Sequence, residues 1–367
     1  MSRLLRSPDI LVGWDEGRLL VKDLAGQREI RSSPEILALL DLFGKPRTPA
    51  GAADLLPGYQ RTSILRSIRR LASIGLLLPA KEGRRRLSRL GIWKQNLASA
   101  QYHIACRDPR YLVRPTEIDR YLRGSVATRR RPPRFKRYPA APRVALPKGR
   151  PRSAAAAHFE DILGARRTTR NFARQPVLLE DFAALLRGTW GRSGELDTEY
   201  LGKLTTKTSP SAGALHPIEC YALVSNVRGL RSGLYHYEVA RDELRRLRAG
   251  PMRDAAVRAA SGQSWIGQAA FLCIMTAVFE RTLWKYQIES AYRVLWLEAG
   301  HLAQTFCLLA TSRGLGSFVG DTLQDSAIEE LIGLDGVREF PVYLCGAGVP
   351  ATARAASRVG VGSRAGR

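Results

Sequence analysis

The chain has few cysteines, no long apolar run and little acidic charge, and each shortage closes off a class of protein. Its five cysteines, Cys106, Cys220, Cys273, Cys307 and Cys345, are scattered through 367 residues. None stands at zinc-site spacing, and several lie in apolar runs where a thiol acts as a small buried hydrophobe. Neither disulfides nor a metal site is expected. The start, Met1-Ser2-Arg3-Leu4-Leu5-Arg6, lacks the apolar core of a signal peptide, and no stretch approaches a membrane span in length. A cytoplasmic protein with no membrane partner is the expectation.

Asp and Glu number 33 against 58 Lys and Arg, a net charge of +25. Such an excess suits nucleic acid, an anionic surface or an acidic peptide. It is concentrated: residues 81–152 hold 21 Lys or Arg against four Asp or Glu, a net +17. Arg outnumbers Lys throughout, a bias that genomic base composition also produces, so charge alone does not argue for DNA. With 45% apolar residues and this length, two units around a sizeable core are expected.

Residues 1–80 form the first. Apolar alternation over Ile10 to Val12, Arg18 to Leu24 and Arg28 to Arg31 predicts a small β-meander. Ser33-Pro34-Glu35 and Thr48-Pro49 open two helices. A third runs from about Arg61 to Ile74, burying Ile64, Leu65, Ile68 and Leu71 and ending at Gly75, before the apolar strand Leu76 to Leu78. The layout is winged-helix-like, and three readings stay open: a clamp for a peptide, a support for a dimer, or a DNA reader using Arg61, Arg66, Arg69 and Arg70. Residues 81–90 read as a basic linker. A helix from Leu90 to Cys106 follows, with a structural His103, and a Pro- and Arg-rich strap, residues 129–152, runs extended over the surface.

The most informative stretch is Thr208-Ser209-Pro210-Ser211-Ala212-Gly213-Ala214-Leu215-His216-Pro217-Ile218-Glu219. Its small residues let a backbone approach a flat ligand with free N–H groups, although an ordinary turn before a strand would read similarly. A second stretch, Ala165-Arg166-Arg167-Thr168-Thr169-Arg170-Asn171-Phe172, combines forked donors and hydroxyls, as phosphate binding requires. The wording of the first stretch resembles the flavin loop of the nitroreductase superfamily, in the form found in SagB-type dehydrogenases of ribosomal peptide tailoring. Ordinary nitroreductases carry Asn and Gln where this chain has Ala214 and His216.

The resemblance spans about residues 91–350 and implies an α+β fold: a central antiparallel-rich sheet flanked by helices, binding FMN in an intertwined homodimer. It assigns the phosphate and ribityl grip to Arg166, Arg167, Thr168 and Arg170. The ring falls to Ser209, Ser211, Ala212, Gly213, Ala214, Leu215 and His216, and to a second loop containing Gly316, Val319 and Gly320. It gives Lys285 and Tyr286 the catalytic role, as the pair that removes a proton while hydride passes to the flavin. Read from residues alone, that pair merely sits at a helix start.

The apolar helix from about Ser290 to Ala310 is expected buried on every side, with Arg293 and Glu298 as internal partners and His301 as a core histidine. His236, in a predicted hairpin, is expected at the surface. Residues 351–367 read as a flexible tail from which Arg354 or Arg358 reaches the partner's phosphate site. The implied activity is oxidation of thiazoline or oxazoline rings in a precursor peptide, which the N-terminal unit would hold, beside a cyclodehydratase partner. Alternatives are another peptide redox step, a small-molecule FMN reductase, or a basic winged-helix regulator with a vestigial flavin fold. Nucleic acid is set aside as a partner.

Overall fold

Strand Ile218–Val224 is buried at all of its seven residues, and the molecule's larger sheet is assembled around it. The computed structural model describes residues 2–351 except 27, 94–95, 108–111, 113 and 149–157. The chain divides into two compact units, Met1–Tyr111 and Leu112–Arg367.

The first unit contains the expected meander, Ile10–Asp15, Arg18–Asp23 and Arg28–Ser32, paired antiparallel in that order. Helices Glu35–Leu42, Pro49–Ala53 and Arg61–Ser73 follow. The Thr48 side chain accepts a hydrogen bond from the Gly51 N–H, capping the second. Ile64, Ile68 and Leu71 join Leu19, Val21 and Phe43 in one core. The sequence reading lacked strand Leu4–Arg6, too short for a periodic signal, which pairs with Leu77–Pro79.

Residues 81–90 are not a linker: Ala80–Arg89 is a helix. Its charges are used internally, because Arg86 donates to Glu82 (3.0 Å) one turn away and to Asp9 (3.1 Å). The single helix expected from Leu90 is divided into a 3-10 turn, Leu90–Trp93, and an α-helix that begins only at Leu97. Ile104 and Ala105 on it pack with Leu24, and Gln101 reaches the Ile10 carbonyl, so this segment belongs to the first compact unit.

In the second unit a seven-stranded antiparallel sheet runs in the order Gly316–Gly320, Glu339–Gly348, Phe271–Val278, Ile218–Val224, Gly233–Glu238, Glu243–Ala249, Arg143–Ala145. Alternation divides its side chains between two faces. Cys220, Ala222 and Val224 face the core formed with helices Leu179–Trp190 and Ala291–Ser312. Tyr221 and Leu223 face the opposite core with Arg253–Ala259 and Asp325–Ile332. The strap does not lie loose, since Arg143–Ala145 within it is an edge strand. The residues from Gly316, expected as a loop, form a strand on Glu339–Gly348. Positions 149–157 and the tail from 352, including Arg354 and Arg358, lie outside the described residues. Among the described residues no helix is long and apolar enough to cross a membrane, and no His, Cys, Asp or Glu cluster could hold a metal.

Phe306 is fully buried between Trp190 (ring centroids 6.0 Å apart) and Phe271 (6.1 Å). Phe306→Ala should therefore cost about 3–5 kcal/mol of stability. Chemical denaturation would show this as a lower midpoint with an unchanged slope.

Candidate active site

The register of two neighbouring strands places the site. Ile218 pairs with Ala277, and the Val278 N–H donates to the Pro217 carbonyl (2.9 Å). The end of the Ser-Pro-Ser loop therefore meets the start of helix Phe279–Lys285. Within the loop, Gly213, Ala214 and His216 all have positive φ, at 64°, 52° and 46°. For the two non-glycines this costs roughly 1–2 kcal/mol each, so surrounding contacts must enforce it.

They do so at His216. Its N–H donates to Ser211 Oγ (2.9 Å), its Nε2 lies 2.8 Å from the Thr205 carbonyl, and its own carbonyl accepts from Arg281 (3.1 Å). Burial, reinforced by Lys207, pushes the imidazole pKa down to about 3. The ring is thus neutral, with Nε2–H donating to Thr205. Leu215 is buried with Trp284 and Val126. The side chains of Leu215 and His216 point into the protein, whereas Ser211 to Ala214 stay partly exposed.

Lys285 and Tyr286 close over this loop. A Cβ on Gly213 would lie 2.9 Å from Tyr286 Oη and 3.0 Å from Lys285 Nζ, so both side-chain tips rest against this glycine, whose φ of 64° disfavours any other residue. Lys285 Nζ stands 5.3 Å from the Tyr286 ring centroid. Partial burial pushes the lysine pKa down, and burial, helped by Tyr121, pushes the tyrosine up.

The Arg-rich stretch is pinned to the strand Gly316–Gly320: Thr168 bridges Ser317, and the Thr169 N–H donates to the Ser317 carbonyl (2.8 Å). Arg167 folds back onto the carbonyls of Gly164 and Arg166. Arg170 lies 5.5 Å from the Trp265 ring centroid. Arg166 is close enough to the Cys307 thiol to act on it electrostatically, and Ser209 Oγ is 2.8 Å from Thr305 Oγ1. Both glycine- and arginine-bearing stretches thereby converge on Thr305 and Cys307 of helix Ala291–Ser312. Val319 and Gly320 pair with Cys345 and Leu344.

Beneath the loop lies a charged group that sequence reasoning did not assemble. Arg281 Nη2 meets Glu219 Oε1 at 2.6 Å, and His236 Nε2 meets the other oxygen at 2.8 Å. Burial alone would raise the Glu219 carboxyl, but Arg281 and His236 hold it well below the usual carboxylate range. His236 is therefore a core residue and not a surface one, because the Glu219 carboxylate needs its donor. Glu298 faces His216 Nδ1 (3.9 Å) and Ser211 rather than Arg293, which is exposed. His301 is exposed as well, along with Trp296 and Leu297, so one stripe of the helix expected to be buried all round is open. A lone Glu and a lone Arg beside apolar runs, Glu219 and Arg281, were the available signal for a buried pair.

Desolvation raises the Glu298 carboxyl to about 7 from its ordinary 4.5. Such a group contributes stability that is complete below about pH 4.5 and lost as pH rises through about 7. Glu298→Gln keeps a neutral side chain at every pH. Between about pH 5 and about pH 8 the parent's melting temperature should fall relative to that variant, with the two curves converging at the acid end. Parallel curves would exclude the raised carboxyl.

The nitroreductase family profile matches residues 163–349. A nitroreductase-named protein of Methanocaldococcus jannaschii is 32% identical over 186 residues, covering 51% of this chain and 88% of its own. The trifolitoxin operon protein TfxC of Rhizobium leguminosarum bv. trifolii is 23% identical over 363 residues, covering 93% and 99%. The microcin B17-processing protein McbC of Escherichia coli is 30% identical over 132 residues, covering 34% of this chain and about half (48%) of McbC. With the profile covering just over half of the chain and the archaeal relative matched along most of its length, the chain belongs to the nitroreductase family, in the SagB-type branch that its Ser-Pro-Ser loop resembles.

Proposed function

We propose that the chain is an FMN-dependent dehydrogenase of peptide maturation, oxidising thiazoline or oxazoline rings to azoles. The observation that carries this reading is the pair Lys285 and Tyr286 pressed against Gly213 of the cofactor loop. A base and a phenol beside the backbone that faces a flat ring is the arrangement that proton removal next to a hydride acceptor requires.

The residues present fit FMN. Arg166 and Arg170 enter no ion pair with the described residues, leaving two guanidinium groups for a phosphate that Thr168 would also hold. Gly316 has no room for a side chain, since a Cβ there would meet Thr169 at 2.6 Å. The exposed backbone of Ser211 to Ala214, with Val319 and Gly320, would face the ring. When bound, FMN supplies a two-electron acceptor that dioxygen can regenerate.

The protein's own part is proton handling. Burial increases the neutral fraction of Lys285, so its amine can take the ring proton. Tyr286, pushed up, stays protonated and can donate a hydrogen bond or relay that proton. The unit Met1–Tyr111, read as winged-helix-like, would hold the precursor peptide. Its strand Ile10–Asp15 is a sheet edge on which Leu11, Val12 and Trp14 are exposed, suited to strand addition. TfxC, whose match runs through this unit, and McbC are named for a toxin operon and for microcin processing, which supports a role in peptide maturation; a cyclodehydratase would be the partner that supplies the azoline. The open stripe Trp296, Leu297, Gly300 and His301 offers a face for a second copy.

The deciding experiment offers an azoline-containing peptide to the aerobic, yellow protein and follows loss of two hydrogens per ring by mass spectrometry. Lys285→Ala and Tyr286→Phe should retain flavin yet lose turnover by about 10²- to 10⁴-fold. Normal turnover in both would remove the pair from the chemistry, and a yellow parent that leaves the peptide unchanged would favour a small-molecule FMN reductase. Separately, the double variant Arg166→Ala/Arg170→Ala should lose visible flavin absorbance, each contact contributing about 1.5–3 kcal/mol. Full retention would remove the phosphate assignment.

A further inference from the structure

Helix Phe279–Lys285 has only seven residues, too few to hold its own conformation, and it ends on the residues assigned to chemistry. Its last carbonyls need donors from elsewhere. Those donors come from a segment that precedes residues 163–349, the stretch the family profile matches. Tyr121 Oη donates to the Lys285 carbonyl at 2.7 Å. Arg129 Nη1 donates to the Trp284 carbonyl at 3.3 Å, and Trp284 Nε1 donates back to the Arg129 carbonyl at 3.4 Å. Arg131 lies over the Trp284 ring, 4.8 Å from its centroid, and donates to the Leu201 carbonyl.

Arg281, one turn before Lys285, completes the arrangement from inside. Its Nε donates to the Pro133 carbonyl (3.0 Å), Nη1 to the His216 carbonyl (3.1 Å), and Nη2 to Glu219 (2.6 Å). One guanidinium with 6% side-chain exposure thus joins the strap, the cofactor loop, the central strand and the helix that carries Lys285. Its planar fork meets three acceptors in fixed directions, which a lysine ammonium would not reproduce.

We propose that Tyr121 together with the start of the strap, residues 129–133, is a clamp on the end of helix Phe279–Lys285, with Arg281 and Tyr121 as positioning residues that set Lys285 and Tyr286 against Gly213. From sequence the strap reads as an extended segment over the surface; in the fold its Arg129 and Arg131 are spent on this clamp. Releasing it lets the short helix unwind or turn, and a shift of about 1 Å at a reacting group can cost on the order of 10²-fold in rate. The effect on turnover rests on the proposed dehydrogenase activity; the placement of Lys285 does not.

The test compares the parent with Tyr121→Phe, Arg281→Lys and Arg281→Met as full-length, flavin-loaded proteins. Acetic anhydride labelling of Lys285, quantified by mass spectrometry across a pH series, reads the titration of its ammonium directly. In the parent the midpoint should lie below the ordinary lysine value of 10.5. In the variants it should move up towards that value as the side chain gains water, and kcat should fall on the order of 10- to 100-fold with KM little changed. Arg281→Met leaves Glu219 buried with His236 but without its guanidinium, so if that variant fails to fold, Tyr121→Phe, which removes one hydroxyl, carries the test. A Tyr121→Phe and Arg281→Lys pair with the parent's labelling midpoint and kcat would overturn the clamp. Should the parent itself fail to oxidise azolines, the labelling series still decides the clamp, and only the dehydrogenase reading falls.

Discussion

The antiparallel register between Ile218–Val224 and Phe271–Val278 is the constraint on which the site depends. Because Ile218 faces Ala277, the chain entering one strand and the chain leaving the other emerge side by side. The first carries the Ser-Pro-Ser loop and the second carries helix Phe279–Lys285. A slip of one residue would send every buried side chain of a fully buried strand to the opposite core, so packing on both faces holds the register firmly. The placement of Lys285 and Tyr286 beside the loop is in this sense inherited from core packing.

That placement brings charge into the interior, and the protein meets it by pairing. Glu219 is satisfied on both oxygens, by Arg281 and His236, and Arg281 satisfies two backbone carbonyls as well. A buried pair of this kind adds little net stability compared with a hydrophobic replacement, but losing one partner leaves an uncompensated charge. Its value here is geometric: the same guanidinium that neutralises Glu219 holds the His216 carbonyl of a loop with three positive φ angles. Strain in that loop and buried charge beneath it are parts of one device.

The strap shows how far composition can mislead about role. Its arginines account for much of the chain's positive excess, yet Arg134 pairs with Glu195, Lys136 with Glu339, and Arg129 and Arg131 with backbone carbonyls. Tyr138 meets Tyr221 at 2.8 Å, and Arg143–Ala145 extends the sheet. Much of this charge is internal hydrogen-bonding capacity, and only the remainder is free to act on a partner.

Local periodicity and turn chemistry were sufficient to read the meander, the three N-terminal helices, the strand Phe271–Val278 and the long helix that follows, because those signals lie within a few residues of each other. The wording of the Ser-Pro-Ser loop and of Arg166 to Arg170 was the local signal behind the proposed flavin site, since a backbone that is to meet a flat ligand and a phosphate would need particular small residues and forks. What the tertiary structure alone decided is which distant residues meet. The helix at Ala80–Arg89 depended on Asp9, the core position of His236 on Glu219, and the turning of Glu298 towards His216 and away from Arg293 on the face that helix presents. The joining of Tyr121, Arg129 and Arg131 to Trp284 and Lys285 was equally invisible. A charged side chain finds its partner through space, and sequence distance carries no record of that until the strands have fixed their register.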